Sequence, residues 1–233
     1  MNSIAEKLVK IAENEPKVYE AGKKAEYDAF WDGLQDYGNR KDYNQGFKNW
    51  IGAKTISPKY PIKTQNISEL FRNCEKLETA PQVISTNADG TFGMCNMGYY
   101  QCYNLKSIDY DIYVSGTSSS SWNSSFNSCK SLKRIKKIGV LESHTFTKVF
   151  ENCRELEEID IDGTIGQNGF DIHWSTKLTA DSLASIINAL STTTTGLTIT
   201  LPTTAQSNYE AVYGSGSWAT LTATRSNWSI AYA

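Results

Sequence analysis

The amino-acid sequence predicts an α/β solenoid with a parallel sheet, closed by N-terminal helices and a C-terminal α/β cap. Three observations predict it. An aromatic residue, a cysteine and a leucine recur three apart in four copies: Phe71, Cys74 and Leu77; Tyr99, Cys102 and Leu105; Phe126, Cys129 and Leu132; Phe150, Cys153 and Leu156. The four cysteines stand 28, 27 and 24 residues apart, periods that belong to stacked structural units. Each copy then becomes extended, as in Leu156, Ile159 and Ile161, where apolar residues alternate with acids.

The physics of one copy follows from its spacing. Residues three apart share a face of a tight helical or 3₁₀ turn, so aromatic, cysteine and leucine point the same way. One such unit cannot bury that face alone. Stacking neighbours makes a ladder of rings, a ladder of thiols and a ladder of Leu/Ile, with a parallel sheet along one flank: a leucine-rich-repeat solenoid. A fifth, eroded copy places Ile172, Ser175 and Leu178 where the aromatic, the cysteine and the leucine stood. The spacers vary. Residues 86–98 are rich in Gly and Asn, 114–123 are Ser-rich around Trp122, and 143–148 are short. Such variation is expected on loops, which often carry binding in solenoids.

The flanks complete a division into residues 1–38 (helices), 39–66 (linker and N-terminal cap), 67–178 (repeats) and 179–233 (C-terminal cap). Residues 3–37 read as helix: Ile4, Leu8 and Ile11 form a narrow stripe, Asn14-Glu15-Pro16 restarts it, and Val18, Ala21, Ala25, Phe30 and Leu34 continue it. Such a stripe suits helix–helix packing, either on the body of the protein or as a short stalk making a homo-oligomer. In the turn-rich linker, with Pro58 and Pro61, Phe47, Trp50, Ile51, Tyr60 and Ile62 are expected to be buried over one open end. After the repeats, Thr179 is a good N-cap, Asp181 suits a first turn, and Leu183, Ile186, Ile187 and Leu190 form a helical stripe. Residues 197–201 read as a strand, 202–213 as helix and 227–232 as a strand. A terminal cap must supply such cover, because an open end exposes apolar core and unpaired backbone.

Candidate chemistry is sparse. The repeat cysteines hold equivalent positions and form no CxxC or Cys/His cluster, so they read as buried, reduced, space-filling thiols, with no metal and no cofactor implied. Cys95 falls outside the register and is expected in a loop, as the one reactive thiol. His144 and His173 are the only histidines, and neither stands in a nucleophile motif. Glu155, Glu157, Glu158, Asp160 and Asp162 read as the solvated side of a strand. The basic block of residues 130–137 interleaves with Leu132 and Ile135 and lies opposite those acids, which predicts pairing between copies and not a nucleic-acid patch. A formal net charge of −2 adds no global attraction to nucleic acid or anionic membrane. No apolar run approaches the roughly 20 residues that span a bilayer. Glu6, Lys7, Lys10 and Glu13 interrupt any signal-peptide core, so the expected site of synthesis is the cytoplasm, with release as part of a particle also compatible.

Two exposed aromatics, Trp122 in its Ser-rich spacer and Tyr100 beside Tyr99, are the expected anchors for a sugar ring or a protein partner. At Phe-x-x-Cys-x-x-Leu-x-x-Ile the chain resembles the BspA-type leucine-rich repeats of bacterial proteins. Its flanks, KIAENEPKVYEAGKKAEYDAFWDGLQDY (residues 10–37), SPKYPI (57–62) and LTADSLASIINAL (178–190), are similar to phage- and prophage-encoded members of that class. The resemblance implies a non-catalytic, tail-associated component that binds a ligand or host surface. An intracellular protein–protein adaptor is the alternative expectation, and a glycan hydrolase the third.

Overall fold

The computed structural model describes residues 47–52, 54–56 and 62–233. The helices expected over residues 3–37, the oligomer they imply, and Pro58, Tyr60 and Pro61 lie outside the described residues. The chain is mixed α/β, with small parallel sheets and few helices. In order it forms β1 (Ile62–Thr64), β2 (Val83–Ser85), β3 (Ser107–Tyr113), β4 (Arg134–Val140), β5 (Glu158–Gly163), α1 (Ala180–Ala189), β6 (Leu197–Leu201), α2 (Ala205–Tyr213), α3 (Ser217–Ala223) and β7 (Trp228–Tyr232). β1 pairs with β2, β3 with β4 and β4 with β5, and β6 with β7, all parallel. Parallel bridges from Thr55 to Thr79 and from Thr79 to Ser107 extend the β3 line toward the N-terminus.

Within the three-stranded sheet, Ile108, Ile135 and Ile159 are in register, and so are Ile112, Ile138 and Ile161. The two rows are four residues apart in β3, three in β4 and two in β5, and the surplus is absorbed as register shifts that leave both rows buried. The motif turns are held by consecutive i to i+3 bonds: Cys102 N–H donates to Tyr99 O at 3.1 Å and Leu105 N–H to Cys102 O at 3.1 Å, with the same pair in the other copies.

These turns differ from a simple 3₁₀ helix in one respect. The residue before each repeat cysteine, and before Trp50, is left-handed: Asn49 (φ 66°), Asn73 (62°), Gln101 (60°), Ser128 (64°) and Asn152 (62°), though Trp174 before Ser175 is not. So is the residue two before each motif aromatic, Glu69, Met97, Ser124 and Lys148 (φ 51–54°). In every copy but the one of Lys148 and Asn152, the reversal aims these amides at the next copy. Asn73 N–H donates to Tyr100 O at 2.7 Å, Gln101 N–H to Asn127 O at 2.9 Å and Ser128 N–H to Glu151 O at 2.7 Å. The turn side thus has a backbone ladder of its own, and Asn, which tolerates this conformation, fills the first position in three of the five cases. Lys148 has no such tolerance, and its side chain makes only a 3.8 Å ion pair with Glu151. Lys148→Gly is therefore expected to stabilise the protein by roughly 0.5–1 kcal/mol: relief of the left-handed penalty exceeds the added freedom of the unfolded chain. A higher urea midpoint at unchanged slope is the expected reading, and a lower midpoint contradicts it.

One ring per copy stacks along the interior. Phe47 lies 5.5 Å from Phe71, Phe71 5.2 Å from Tyr99, Tyr99 5.6 Å from Phe126 and Phe126 5.7 Å from Phe150, with planes within 22° of parallel. Tyr99 fits among phenylalanines because its hydroxyl pairs, inside, with that of Tyr110 from β3. Phe47 corrects its expected role. It is a further member of the ladder, with Trp50 in the cysteine's place and Asn49 before it, and not merely part of a lid. Phe47, Trp50 and Ile62 are buried as expected, whereas Ile51 is 51 % exposed. At the other end Phe170, not Ile172, offers the next ring, tilted 56° and 5.6 Å from Phe150. Ile172 and Ser175 keep the backbone turn, with Ser175 N–H donating to Ile172 O at 3.0 Å.

The thiols do more than fill space. Cys74, Cys102, Cys129 and Cys153 each donate Sγ–H to the carbonyl of the preceding copy's aromatic, Phe47, Phe71, Tyr99 and Phe126, at 3.0 Å. Cys95 is the correction here: the segment around it is not an open loop. Cys95 N–H donates to Ser121 O at 2.8 Å, its side chain is fully buried, and burial pushes its thiol up to about 12. A native-state titration with a thiol-reactive disulfide dye is expected to find none of the five cysteines, and all five after unfolding. One fast-reacting thiol in the native protein would contradict the burial of Cys95.

Beyond β5 the sheet edge is covered by α1. Ile159 N–H donates to Ser182 Oγ at 2.9 Å and Ile161 N–H to Ser185 Oγ at 2.8 Å, so two helix serines take the place of a next strand. Thr179 is the N-cap as expected, accepting from Ser182 N–H. β6, α2 and β7 fall where the sequence places them, and α3 is an element it does not announce.

Candidate ligand-binding surface

The outward side chains of β3, β4 and β5 alternate acid, base, acid across the sheet. Arg134 on β4 reaches Asp109 on β3 at 2.7 Å and Glu158 on β5 at 3.1 Å. Lys136 meets Asp111 at 3.0 Å and Lys137 meets Asp160 at 3.2 Å, while Tyr113 donates its hydroxyl to Asp162 at 2.9 Å. The turns leading into the strands repeat the scheme with Lys106–Glu78, Lys133–Glu157 and Lys177–Glu155. The hydrogen bond from Lys106 holds Glu78 below the usual carboxylate range, the one from Lys177 does the same for Glu155, and the bond to Asp160 raises Lys137. From Lys133 to Lys137 the basic block therefore pairs between copies, as its spacing predicts, while Lys130 at its start does not. Exposed pairs of this kind contribute little to stability, which leaves them free to exchange partners with a ligand.

Two grooves border this face. One, of about 450 Å³, runs between β4, β5 and the start of α1, with Arg134, Lys136, Glu158, Asp160, Asp181 and Ser185 on its walls. The other, of about 370 Å³, lies between β2 and β3, with Ile84, Phe92, Asp109, Tyr113 and Lys136 among its walls. Asp181, on the wall of the first, accepts the Tyr213 hydroxyl at 2.5 Å. Lys136 borders both.

Trp122 takes no part in this surface, which corrects its expected role as an exposed anchor. It is fully buried, and its indole Nε1–H donates to His144 Nδ1 at 3.1 Å. The same Nδ1 accepts Leu141 N–H at 3.0 Å, and Nε2 faces Gly116 O at 2.8 Å, an arrangement that assigns the proton to Nε2. Burial holds the His144 pKa below its usual value. The Ser-rich spacer enters the interior because its hydroxyls find carbonyls there. Ser121 Oγ donates to Gly116 O at 2.6 Å, and Ser125 Oγ to Cys95 O at 2.7 Å.

Tyr100 is half-buried on the turn side, away from the sheet, with the Arg72 guanidinium 5.5 Å over its ring and Gln101 Nε2–H donating to its hydroxyl at 3.3 Å. The second histidine, His173, is held 2.5 Å from Asp171 and packs its ring on Trp174 at 4.9 Å. The structure thus brings together the alternating charges of β3 to β5, to which the sequence analysis assigns pairing but no binding role, and separates Trp122 from Tyr100. Among the described residues no group of three or more His, Cys, Asp and Glu side chains is placed to hold a metal ion, and no helix is long and apolar enough to cross a membrane. Comparison of the chain with family models, with curated proteins and with solved structures found no match.

Proposed function

We propose that the chain is a non-catalytic binding protein, a leucine-rich-repeat solenoid that serves as a tail-associated component of a phage or prophage and presents its outer surface to a ligand on the host. The observation that carries this reading is the division between interior and surface. Five thiols and His144, the residue types that nucleophilic chemistry would use, are committed to the interior. The outer face instead offers exchangeable ion pairs beside two open grooves. The solenoid itself is supported by the one-ring-per-copy ladder and by the left-handed residues that link each turn to the next. The phage assignment rests on the sequence resemblance of the flanks.

Mass spectrometry of purified particles from cells carrying this gene tests the assignment. Stoichiometric recovery of the chain supports it, and absence from the particles removes the tail-associated role. Labelling of intact bacterial cells by the fluorescently tagged full chain tests surface binding separately.

A further inference from the structure

The residue that follows the motif cysteine is Tyr103, then Lys130, then Arg154 in three successive copies. In the next copy Trp174, just before Ser175, closes the line. Lys130 Nζ sits 4.8 Å over the Tyr103 ring, and the Arg154 guanidinium sits 5.0 Å over the Trp174 ring. The order along the turn side is therefore aromatic, cation, cation, aromatic. Both cations are exposed and both rings half-buried, with Trp174 backed by His173.

These two cations differ from those of the sheet face. Lys106, Lys133, Arg134, Lys136, Lys137 and Lys177 all hold carboxylates. Among the described residues neither Lys130 nor Arg154 has a carboxylate partner. Arg154 makes one long bond, from Nη2 to Asn152 Oδ1 at 3.4 Å. An exposed cation held only by a ring face is lightly held, so both are available to an incoming anion, and the Arg fork suits a carboxylate in particular. They occupy equivalent places in adjacent copies, whose rings repeat at 5.2–5.7 Å, a separation comparable to one sugar ring.

We infer that Tyr103, Lys130, Arg154 and Trp174 form a binding strip for an acidic glycan, with sugar carboxylates on the two cations and sugar rings against the two aromatics. The inference rests on the non-catalytic binding role proposed above and adds a second surface to it, on the turn side, apart from the grooves of the sheet face. Two unpaired cations match the spaced charges of a polyuronate. A nucleic acid calls for a broader basic stripe, and Glu151 and Glu155, near Arg154 in sequence, with Glu75, which follows the cysteine of the first copy, oppose a dense phosphate chain.

The test is calorimetric titration of the full chain with oligogalacturonate, with a neutral cello-oligosaccharide of equal length and with poly(U). Oligogalacturonate is expected to bind, weakening with added salt. Lys130→Gln/Arg154→Gln is expected to bind at least tenfold more weakly at an unchanged melting temperature, and Trp174→Ala to bind more weakly as well. No uronate binding, equal affinity in the double variant, equal affinity for the neutral sugar, or tighter binding of poly(U) overturns the strip. Cell labelling separates the two readings. No uronate binding by the wild type, with cells labelled equally by wild type and double variant, sinks the strip and leaves the surface-binding role standing. Uronate binding lost in the double variant, with no cell labelled by either, upholds the strip and sinks that role.

Discussion

Trp122→Ala is expected to destabilise the protein by about 3–5 kcal/mol, the range for removing a large buried aromatic side chain. An exposed anchor would behave differently, losing ligand affinity and almost no stability. Here the indole is fully buried, packs beside Phe126 at 6.3 Å and supplies one of the two N–H groups on His144 Nδ1. Trp122→Phe keeps most of the packing and removes that donor, so a loss of about 1 kcal/mol is expected. Urea unfolding checks both, and wild-type midpoints in both variants would show the indole to be outside the core. The same contact predicts a pH dependence. His144 is held neutral by burial, below its ordinary value of 6.5. Above pH 6.5 the ring is neutral in the folded and the unfolded chain, and its contribution is complete. As the pH falls below 6.5 the unfolded chain takes up the proton first, so stability declines until the folded ring is protonated too. Subtracting the profile of His144→Asn isolates this slope, and identical profiles would contradict the assigned tautomer.

Gly116→Ala is expected to cost about 3 kcal/mol or more, at the upper end of overpacking effects. A Cβ at Gly116 would stand 1.9 Å from the carbonyl oxygen of Gly93. Both sides of that clash are backbone, so no rotamer change relieves it. The two segments are also tied together, with Phe92 N–H donating to Tyr113 O at 2.6 Å and Ser115 N–H to Phe92 O at 2.9 Å. Moving them apart disturbs the Gly116 carbonyl, which faces both His144 Nε2 and Ser121 Oγ. Gly90→Ala is the control. Gly90 is left-handed (φ 74°) with nothing within 4 Å of its would-be Cβ, so only the conformational penalty of about 1–2 kcal/mol applies. Equal losses in the two variants would mean that the close approach at Gly116 relaxes without strain.

The ion pairs between β4 and β5 were legible, because the basic block and the acids of the following copy stand at nearly the same distance from their cysteines. Asp109 and Asp111 of β3, which hold Arg134 and Lys136, were not, and register shifts separate that strand from the simple spacing. The aromatic–cation strip was not legible either. Its members sit at the variable positions beside the motif cysteine or its serine equivalent, and the sequence of any single copy shows only one of them. Phe47 left a readable trace, Phe-x-Asn-Trp, 24 residues before Phe71. That trace was hidden by Trp in place of the cysteine.

The sequence by itself determined which residues face inward in the four clear copies, the parallel pairing of the strands and, α3 apart, the elements that close the C-terminal end. All of these follow from local periodicity and capping, which a few neighbouring residues encode. Only the tertiary structure decided that Trp122 and Cys95 are interior and that Tyr100 lies beneath Arg72. A Ser- and Gly-rich spacer reads as solvent-exposed until partners appear for its polar groups. Those partners, Cys95 O for Ser125 and His144 for Trp122, come from segments 30 and 22 residues away. Burial of a polar stretch is set by such long-range satisfaction of hydrogen bonds, and local composition carries no record of it.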